Sequence, residues 1–483
     1  MVHRITILPQ QQNTEALSGE NLLQVLRRAG YGPDAPCGGE GRCGKCRVLV
    51  NGKEVLACRT AVDRDMTVTL PGTAADCIHT PSIESAPAVS CRGDVLLALD
   101  IGTTTVAGYL LDGRTGQELA QASLRNPQVT FGADVITRIR QALHGHMEEL
   151  TGLVRRCAAE LILDLCQTAG VSAASVTRVC LVGNPAMDQL FLGIRPDNLA
   201  QIPFSPVLTE ARTFRAGEVL PPCPHVELFA APHISGFVGG DTVACILATG
   251  MDVSDETVLL VDIGTNGEMV LGNRSGLTAC STAAGPALEG ANIQFGMRGQ
   301  PGAIDRVRLE NGQLRCRVIG GGEALGICGS GLIDAVAAAL EAGWLNARGK
   351  ILREDSRIPL TDTLYLTQED IRQVQLAKGA IAAGIRLMAE HRGIPLQDIR
   401  RVYLAGAFGT CMDPGSACRI GLLPRELEGK VTAVGNAAGA GAKRLVREAD
   451  AGALTQAVLR MTDALELGAL PEFPRCFARN MRF

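Results

Sequence analysis

Over the first 70 residues, apolar positions come in short, separated bursts. Arg4–Leu8 alternates polar and apolar residues as a half-buried strand does, Asn21–Ala29 spaces its leucines and valine as a helix does, and Met66–Leu70 alternates again. Between them, Arg47–Val50 and Lys53–Leu56 flank Asn51-Gly52, the sequence of a hairpin closed by a type I′ turn. Strand, helix, loop, hairpin and final strand in that order suit a small β-grasp module over residues 1–72. From Pro71 the periodicity stops. PGTAADCIHTPSIESAPAVSCRG is rich in Pro, Ala and Ser and predicts a linker over 73–93, in which Cys77 and Cys91 read as free thiols.

Beyond the linker the pattern repeats. Val95–Leu99 is a continuous apolar run that passes into Asp100-Ile101-Gly102-Thr103-Thr104-Thr105, and Val258–Val261 is another that passes into Asp262-Ile263-Gly264-Thr265-Asn266, with Asp262 placed 162 residues after Asp100. A strand that ends in Asp-Ile-Gly-Thr and turns into a second strand offers backbone amides and hydroxyls to a phosphate, and its aspartate stands where a hydrated Mg²⁺ needs an oxygen. One such turn is a weak signal; two at the heads of matching segments are a strong one. The match extends. Val179–Val182 ends in Gly183-Asn184, and Gly236–Ala248 predicts a small-residue helix containing Gly239-Gly240-Asp241. In the second half, Val402–Leu404 ends in Gly406-Ala407-Phe408-Gly409, and Val434–Leu445 predicts a helix containing Asn436, Gly439 and Gly441. Two α/β lobes follow, 94–254 and 255–450, with a cleft expected between them and glycine-rich strand ends facing it. Residues 451–483 read as one amphipathic helix and an extended, proline-flanked tail, where Cys476 is too isolated for a second cluster.

Three further segments have two readings or a plain one. Cys328-Gly329-Ser330-Gly331 ahead of Leu332–Leu340 is either a helix N-terminus that takes an anion or a tight loop-to-helix junction. Gly285–Gly302 reads as a loop, lining a nucleotide cleft or a partner surface, with no decisive residue. Asn184–Gly193 starts a helix whose Met187, Leu190 and Phe191 share an apolar face and read as core.

Composition narrows the class. At 483 residues, two or three domains are the natural expectation. A net charge of −4 with both signs dispersed excludes a nucleic-acid groove. Seventeen cysteines scattered through a chain of this size argue for a reducing compartment rather than disulfide staples. MVHRITILPQ is too short and polar for a secretory signal, and no apolar run reaches the roughly 18 residues of a membrane span, so a soluble cytoplasmic protein is expected. The seven histidines form no HxH or HExxH pair.

The densest chemistry lies in CGGEGRCGKCRVLVNGKEVLAC, where Cys37, Cys43, Cys46 and Cys58 are separated by five, two and eleven residues. Three clustered cysteines and a later fourth approach the plant-type iron–sulfur spacing. The hairpin supplies the fourth: its register sets Ala57 opposite Cys46, so Cys58 returns beside the other thiols. Glycines at 38, 39, 41 and 44 allow backbone amides to point at sulfur. Cys77 competes as fourth ligand; zinc and four unrelated buried thiols are the other readings, though zinc sites usually pair cysteines as two CxxC knuckles.

On CGGEGRCGKC, the LAC that follows and Met66–Leu70, the first module resembles the [2Fe–2S] ferredoxins. On its paired turns, residues 94–450 resemble the RNase H-like superfamily of acetate and sugar kinases, heat-shock ATPases and actin (ASKHA). The resemblance implies phosphate turns at Asp100–Thr105 and Asp262–Glu268, adenosine contacts at Gly406–Gly409 and connecting helices at Gly236–Ala248 and Val434–Leu445; the glycine-rich setting of a sugar-kinase catalytic aspartate is missing, which leaves ATP hydrolysis or ATP-gated movement. Both modules in this order resemble the ATP-dependent reductive activators of corrinoid proteins. That likeness implies one electron passing from a [2Fe–2S] cluster to the Co(II) of a corrinoid-dependent methyltransferase or corrinoid iron–sulfur protein, regenerating Co(I) while ATP is hydrolysed. It implies Cys37, Cys43, Cys46 and Cys58 as cluster ligands, Asp100 and Asp262 as Mg²⁺ ligands with Glu268 beside them, and Gly102–Thr105 with Gly264–Asn266 around phosphate; the anion reading of the 328–331 junction adds Gly329 and Ser330 to the nucleotide site. It also implies a low-potential upstream donor; a homodimer is expected from base rates alone. The competing functions are a redox-regulated small-molecule kinase and a ferredoxin-fused nucleotide-binding scaffold without turnover.

Overall fold

The computed structural model describes residues 1–70 and 94–483. The linker with Cys77 and Cys91, and with it the competing fourth ligand, lies outside the described residues. The chain divides into two compact units, Met1–Ala230 and Ala231–Phe483.

The first unit holds two sheets. The first, ordered β2-β1-β5-β3-β4, comprises β1 (Val2–Leu8), β2 (Gln12–Leu17), β3 (Arg47–Val50), β4 (Lys53–Leu56) and β5 (Met66–Thr69). Beside it packs α1 (Leu22–Arg28), capped by the Asn21 side chain, which accepts a hydrogen bond from Leu23 N–H. Ile5, Ile7, Leu22, Leu26, Val48 and Val68 close the core between them. The β-grasp order is as expected apart from β2, which the sequence reading lacked. QNTEAL buries only Ala16, because an edge strand packed on one face needs little apolar side chain. Asn51 (φ +50°) and Gly52 (φ +82°) take the left-handed conformations a type I′ turn requires.

The second sheet, ordered β10-β11-β9-β6-β7-β8, is built from β6 (Val95–Ile101), β7 (Thr105–Asp112), β8 (Glu118–Arg125), β9 (Val176–Gly183), β10 (Arg212–Arg215) and β11 (Glu227–Ala230). Helices α2 (Val135–Gln141), α3 (Met147–Ala169) and α4 (Pro185–Leu192) accompany it, and Met187, Leu190 and Phe191 of α4 are buried in its core. The central strand β6 runs antiparallel to β7 and parallel to β9. Covered on both faces, it is a continuous apolar run as far as Asp100 rather than alternating.

The second unit repeats this arrangement. Its main sheet, β21-β20-β12-β13-β14-β22, uses β12 (Val258–Ile263), β13 (Gly267–Asn273), β14 (Gly276–Thr282), β20 (Arg401–Ala405), β21 (Val431–Gly435) and β22 (Thr462–Ala464). As in the first unit, β12 is antiparallel to the strand after it and parallel to a distant one, β20. A smaller sheet of β15 (Ala303–Glu310), β16 (Gln313–Val318) and β17 (Gly326–Ile327), and a ribbon of β18 (Ile358–Pro359) and β19 (Tyr365–Leu366), are inserted. The helices are α5 (Gly240–Thr249), α6 (Gly329–Glu341), α7 (Gln368–Arg392), α8 (Gly406–Cys411), α9 (Pro414–Arg419), α10 (Ala437–Arg447), α11 (Ala451–Met461) and α12 (Phe473–Asn480).

Three expectations need correction. The helix expected over Val434–Leu445 is two elements: β21 runs to Gly435, and α10 begins at Ala437 behind the Asn436 cap, whose side chain accepts from Gly439 N–H. The helix expected from Gly236 starts at Gly240. The extended tail carries a short parallel strand, β22, against β14 and the helix α12, held because Phe473, Cys476 and Phe483 cover the core of the second unit. The small residues of α5 and α10 do serve close packing. A Cβ on Gly441 would lie 2.0 Å from the Ala244 carbonyl oxygen, so only glycine permits that crossing. Among the described residues no helix is long and apolar enough to cross a membrane.

Candidate functional site

Residues 31–46 have no regular secondary structure, and the four cysteines meet where this loop and the β3–β4 hairpin converge. The hairpin register continues past its last strand pair, Arg47 opposite Leu56, to a bond from Ala57 N–H to Cys46 O of 2.8 Å. Cys58 is thereby returned beside Cys46. The thiols associate as pairs, Cys37 with Cys43 and Cys46 with Cys58. Burial raises the Cys37 thiol, but the amides of Cys43, Arg42 and Gly39 together with the Cys43 thiol outweigh it and bring it down to about 6. Burial, then Cys46, Cys37 and Cys43, pushes Cys58 up to about 11, and burial likewise raises Cys43. Among the described residues no three His, Cys, Asp or Glu side chains are arranged to hold a single metal ion. Four thiols gathered as two pairs, with the amides of Gly39, Arg42 and Cys43 oriented toward Cys37, are a donor set that could hold a two-iron centre.

The first of the two turns expected to take phosphate, Gly102–Thr105, joins β6 to β7 and is closed by Gly102 N–H to Thr105 O at 2.9 Å. Two asparagines brace it. The Asn126 side chain donates to Gly102 O at 2.9 Å while its backbone N–H donates to Thr104 O at 2.9 Å, and Asn184 donates to the Thr103 hydroxyl at 3.0 Å. Asp100, the residue before Ile101 on β6, is half-buried.

The second turn, Gly264–Asn266, is closed by the equivalent bond, Gly264 N–H to Asn266 O at 2.9 Å. Its surroundings are acidic. Asp262 and Glu268 face each other across β12 and β13, and the Thr265 hydroxyl donates to Glu289 at 2.9 Å. Burial, with a weak opposing bond from the Cys245 thiol at 3.8 Å, raises the Asp262 carboxyl to about 6. Burial, then Asp241 and Asp262, raises Glu268 well above the usual carboxylate range. Both nevertheless keep partial solvent contact. Carboxylates crowded together and still reachable from solvent are a donor set short of a cation, and Mg²⁺ needs only one or two of them when phosphate and water complete its octahedron.

Gly406 (φ +85°) opens the segment expected to touch adenosine, and a Cβ there would fall 2.6 Å from Asp262 Oδ1. Gly406 and Asp262 therefore share one place. Gly329 lies against Phe408, where a Cβ would come within 2.5 Å of the ring. The Ser330 hydroxyl is used locally, donating to Asp305 O at 3.0 Å. Asn126, Glu289 and the influence of the Asp241 charge on Glu268 escaped the sequence reading. Glu289 lies in the stretch read as an indecisive loop, on a 3-10 turn over Pro286–Glu289, and a proline followed three residues later by a glutamate was the only local signal.

Three family descriptions match consecutive parts of the chain: the 2Fe-2S iron-sulfur cluster binding domain over residues 5–71, the RACo middle region over 95–254, and the C-terminal domain of RACo, the ASKHA domain, over 256–483. The corrinoid activation enzyme RamQ of Eubacterium limosum is 36% identical over 417 residues, covering 80% of this chain and 70% of that protein. The [Co(II) methylated amine-specific corrinoid protein] reductase of Methanosarcina barkeri is 28% identical over 389 residues, covering 73% and 70%. A solved structure described as a reductive activator for corrinoid, iron-sulfur protein superposes with a TM-score of 0.73 at 28% identity, covering 100% of this chain and 98% of its own.

Proposed function

The chain belongs to the family of reductive activators of corrinoid proteins, and on that premise we propose that it returns the Co(II) corrinoid of a methyl-transfer protein to Co(I), one electron per event, with ATP hydrolysis driving the unfavourable step. It is an enzyme, with a β-grasp ferredoxin-type domain ahead of an ASKHA-type body. The observation that carries the proposal is the gathering of four thiols as two pairs on the cluster loop and hairpin, in the same chain as two phosphate turns.

Cys37, Cys43, Cys46 and Cys58 would hold a [2Fe–2S] group, which supplies a one-electron carrier. Gly102–Thr105 and Gly264–Asn266 would present amides and hydroxyls to phosphate, and Gly406–Gly409 would approach adenosine through backbone. Asp100 and Asp262 would position Mg²⁺. The Glu268 carboxylate, held at raised basicity by burial and by Asp241, would accept a proton from the attacking water. Gly329 and Ser330 would shape the wall beside Phe408. A low-potential donor must reload the protein after each event. Coupling to ATP is needed because a cluster near about −400 mV reduces ordinary acceptors unaided, so hydrolysis is useful only for an uphill one.

The test mixes reduced protein anaerobically with a Co(II) corrinoid protein and follows Co(I) absorbance with and without ATP. Co(I) should accumulate only with ATP; equal rates in its absence would overturn the coupling. Cys43→Ser should bleach the visible cluster absorbance and abolish reduction while nucleotide binding persists.

A further inference from the structure

We propose that Arg27 is a positioning residue that sets the reduction potential of the cluster, and that its charge is held in place by the lobe following the ferredoxin domain. The inference rests on the cluster reading above and adds a residue to it.

Arg27 lies in the last turn of helix α1 yet is only 6% exposed. A buried guanidinium is costly unless its N–H groups are used. Here Nε donates to Thr130 O at 2.8 Å, one terminal nitrogen donates both to Gly38 O at 3.0 Å and to Thr130 O, and the guanidinium carbon lies 4.4 Å from the centre of the Phe131 ring. These partners are carbonyls and a π-face, so the positive charge is oriented without being cancelled. Burial brings Arg27 down to about 10, leaving it a cation at neutral pH, and the charges that favour its ionised form are first those of Cys46, Cys37 and Cys58, then Glu149.

A [2Fe–2S] centre gains one negative charge on reduction. A fixed cation beside it in a poorly polarisable interior stabilises the reduced form and makes the potential less negative. That cation is fixed from outside the ferredoxin domain. Thr130 and Phe131 end the Asn126-capped turn of the next lobe, and the cluster loop is pressed onto the same lobe: Ala133 N–H donates to Pro36 O at 3.3 Å, Arg140 pairs with Glu40 at 2.8 Å, and Arg125 pairs with Asp34. Gly38 admits no side chain there, since a Cβ would meet Gln141 Nε2 at 2.9 Å and Phe131 O at 3.3 Å. The potential therefore depends on residues that touch none of the four cysteines.

The experiment is a redox titration of the cluster-loaded full chain, followed by electron paramagnetic resonance and visible circular dichroism, for wild type, Arg27→Met, Arg27→Lys and Phe131→Leu. Arg27→Met should lower the ratio of reduced to oxidised cluster at fixed poise by at least tenfold, a shift of about 59 mV for one electron. Arg27→Lys, which keeps the charge but cannot span both carbonyls, should shift less, and Phe131→Leu should shift in the same direction. Arg27→Met at the wild-type potential with a full cluster signal overturns the inference. Should Arg27→Met fail to hold a cluster, the other two variants decide, and unchanged potentials in both overturn it. Wild-type protein prepared anaerobically without iron would instead sink the cluster reading itself.

Discussion

The two Asp-Ile-Gly-Thr turns have one backbone design and two different neighbourhoods. Each follows the central strand of a six-stranded sheet, each is closed by its glycine N–H, and the second is shorter by one residue, Gly264–Asn266 against Gly102–Thr105. Around the first turn the bracing groups are neutral amides, Asn126 and Asn184. Around the second they are carboxylates, Glu289 on Thr265 and Glu268 beside Asp262. The clearest contrast lies across the strand pair: the residue opposite Asp262 is Glu268, and the residue opposite Asp100 is Ala107. The repeat thus preserves the shape of the turn while the cross-strand side chains differ. The first turn is braced by amides that fix its form; on the function proposed above, the second would take the cation and handle the proton.

The strongest break of this comparison is at the aspartates. Asp262→Asn should lower ATP hydrolysis by about 10²–10³-fold, as loss of one preorganised charge does, with the visible cluster spectrum unchanged. Asp100→Asn should cost about tenfold, because no second carboxylate stands opposite it; equal losses at the two positions in a phosphate-release assay would erase the asymmetry. Glu268→Gln should slow hydrolysis by about 10²-fold with nucleotide affinity nearly intact, which a binding isotherm run beside the kinetics separates.

Acid reports the same difference more gently. Asp262 is raised to about 6 from 3.8, and Glu268 is raised further above its ordinary range. For a raised carboxyl the folded state binds the proton more tightly than the unfolded chain. Its contribution to stability is therefore complete below pH 4 and is lost as pH climbs through about 6 in cation-free protein. Mg²⁺ with nucleotide favours the ionised forms, so its affinity should rise with pH through that window, by at most about tenfold per unit for each proton released. Calorimetric titration between pH 5 and 7 checks this, and Asp262→Asn should flatten the slope. The smallest effect belongs to the first turn: Asn184→Ala should cost about 1–3 kcal/mol in denaturant unfolding, leaving the Thr103 hydroxyl short of a donor, while the pH slope stays as in wild type.

Much of this molecule was readable without coordinates where the physics is local. Asn51-Gly52 favours one turn because both residues tolerate positive φ, and that turn alone sets which residue faces Cys46. The Asp-Ile-Gly-Thr repeats were readable because each central strand is a continuous apolar run that ends in Asp-Ile and turns at a glycine. Legibility failed where an element draws its stability from elsewhere. QNTEAL lacks strand periodicity because pairing with β1 supplies what its side chains do not. Residues 434–445 look like one helix because alanine and glycine suit either state locally, and only the parallel pairing of β21 with β20 makes the first part a strand.

Sequence alone determined the module order, the four thiols, the doubled Asp-Ile-Gly-Thr turn and hence the family, since each rests on local spacing or on a repeat visible to the eye. Tertiary structure decided which turn is acidic and what holds Arg27. Glu289 reaches Thr265 across 24 residues and Thr130 reaches Arg27 across 103, and no periodicity records an encounter that exists only once the chain has closed.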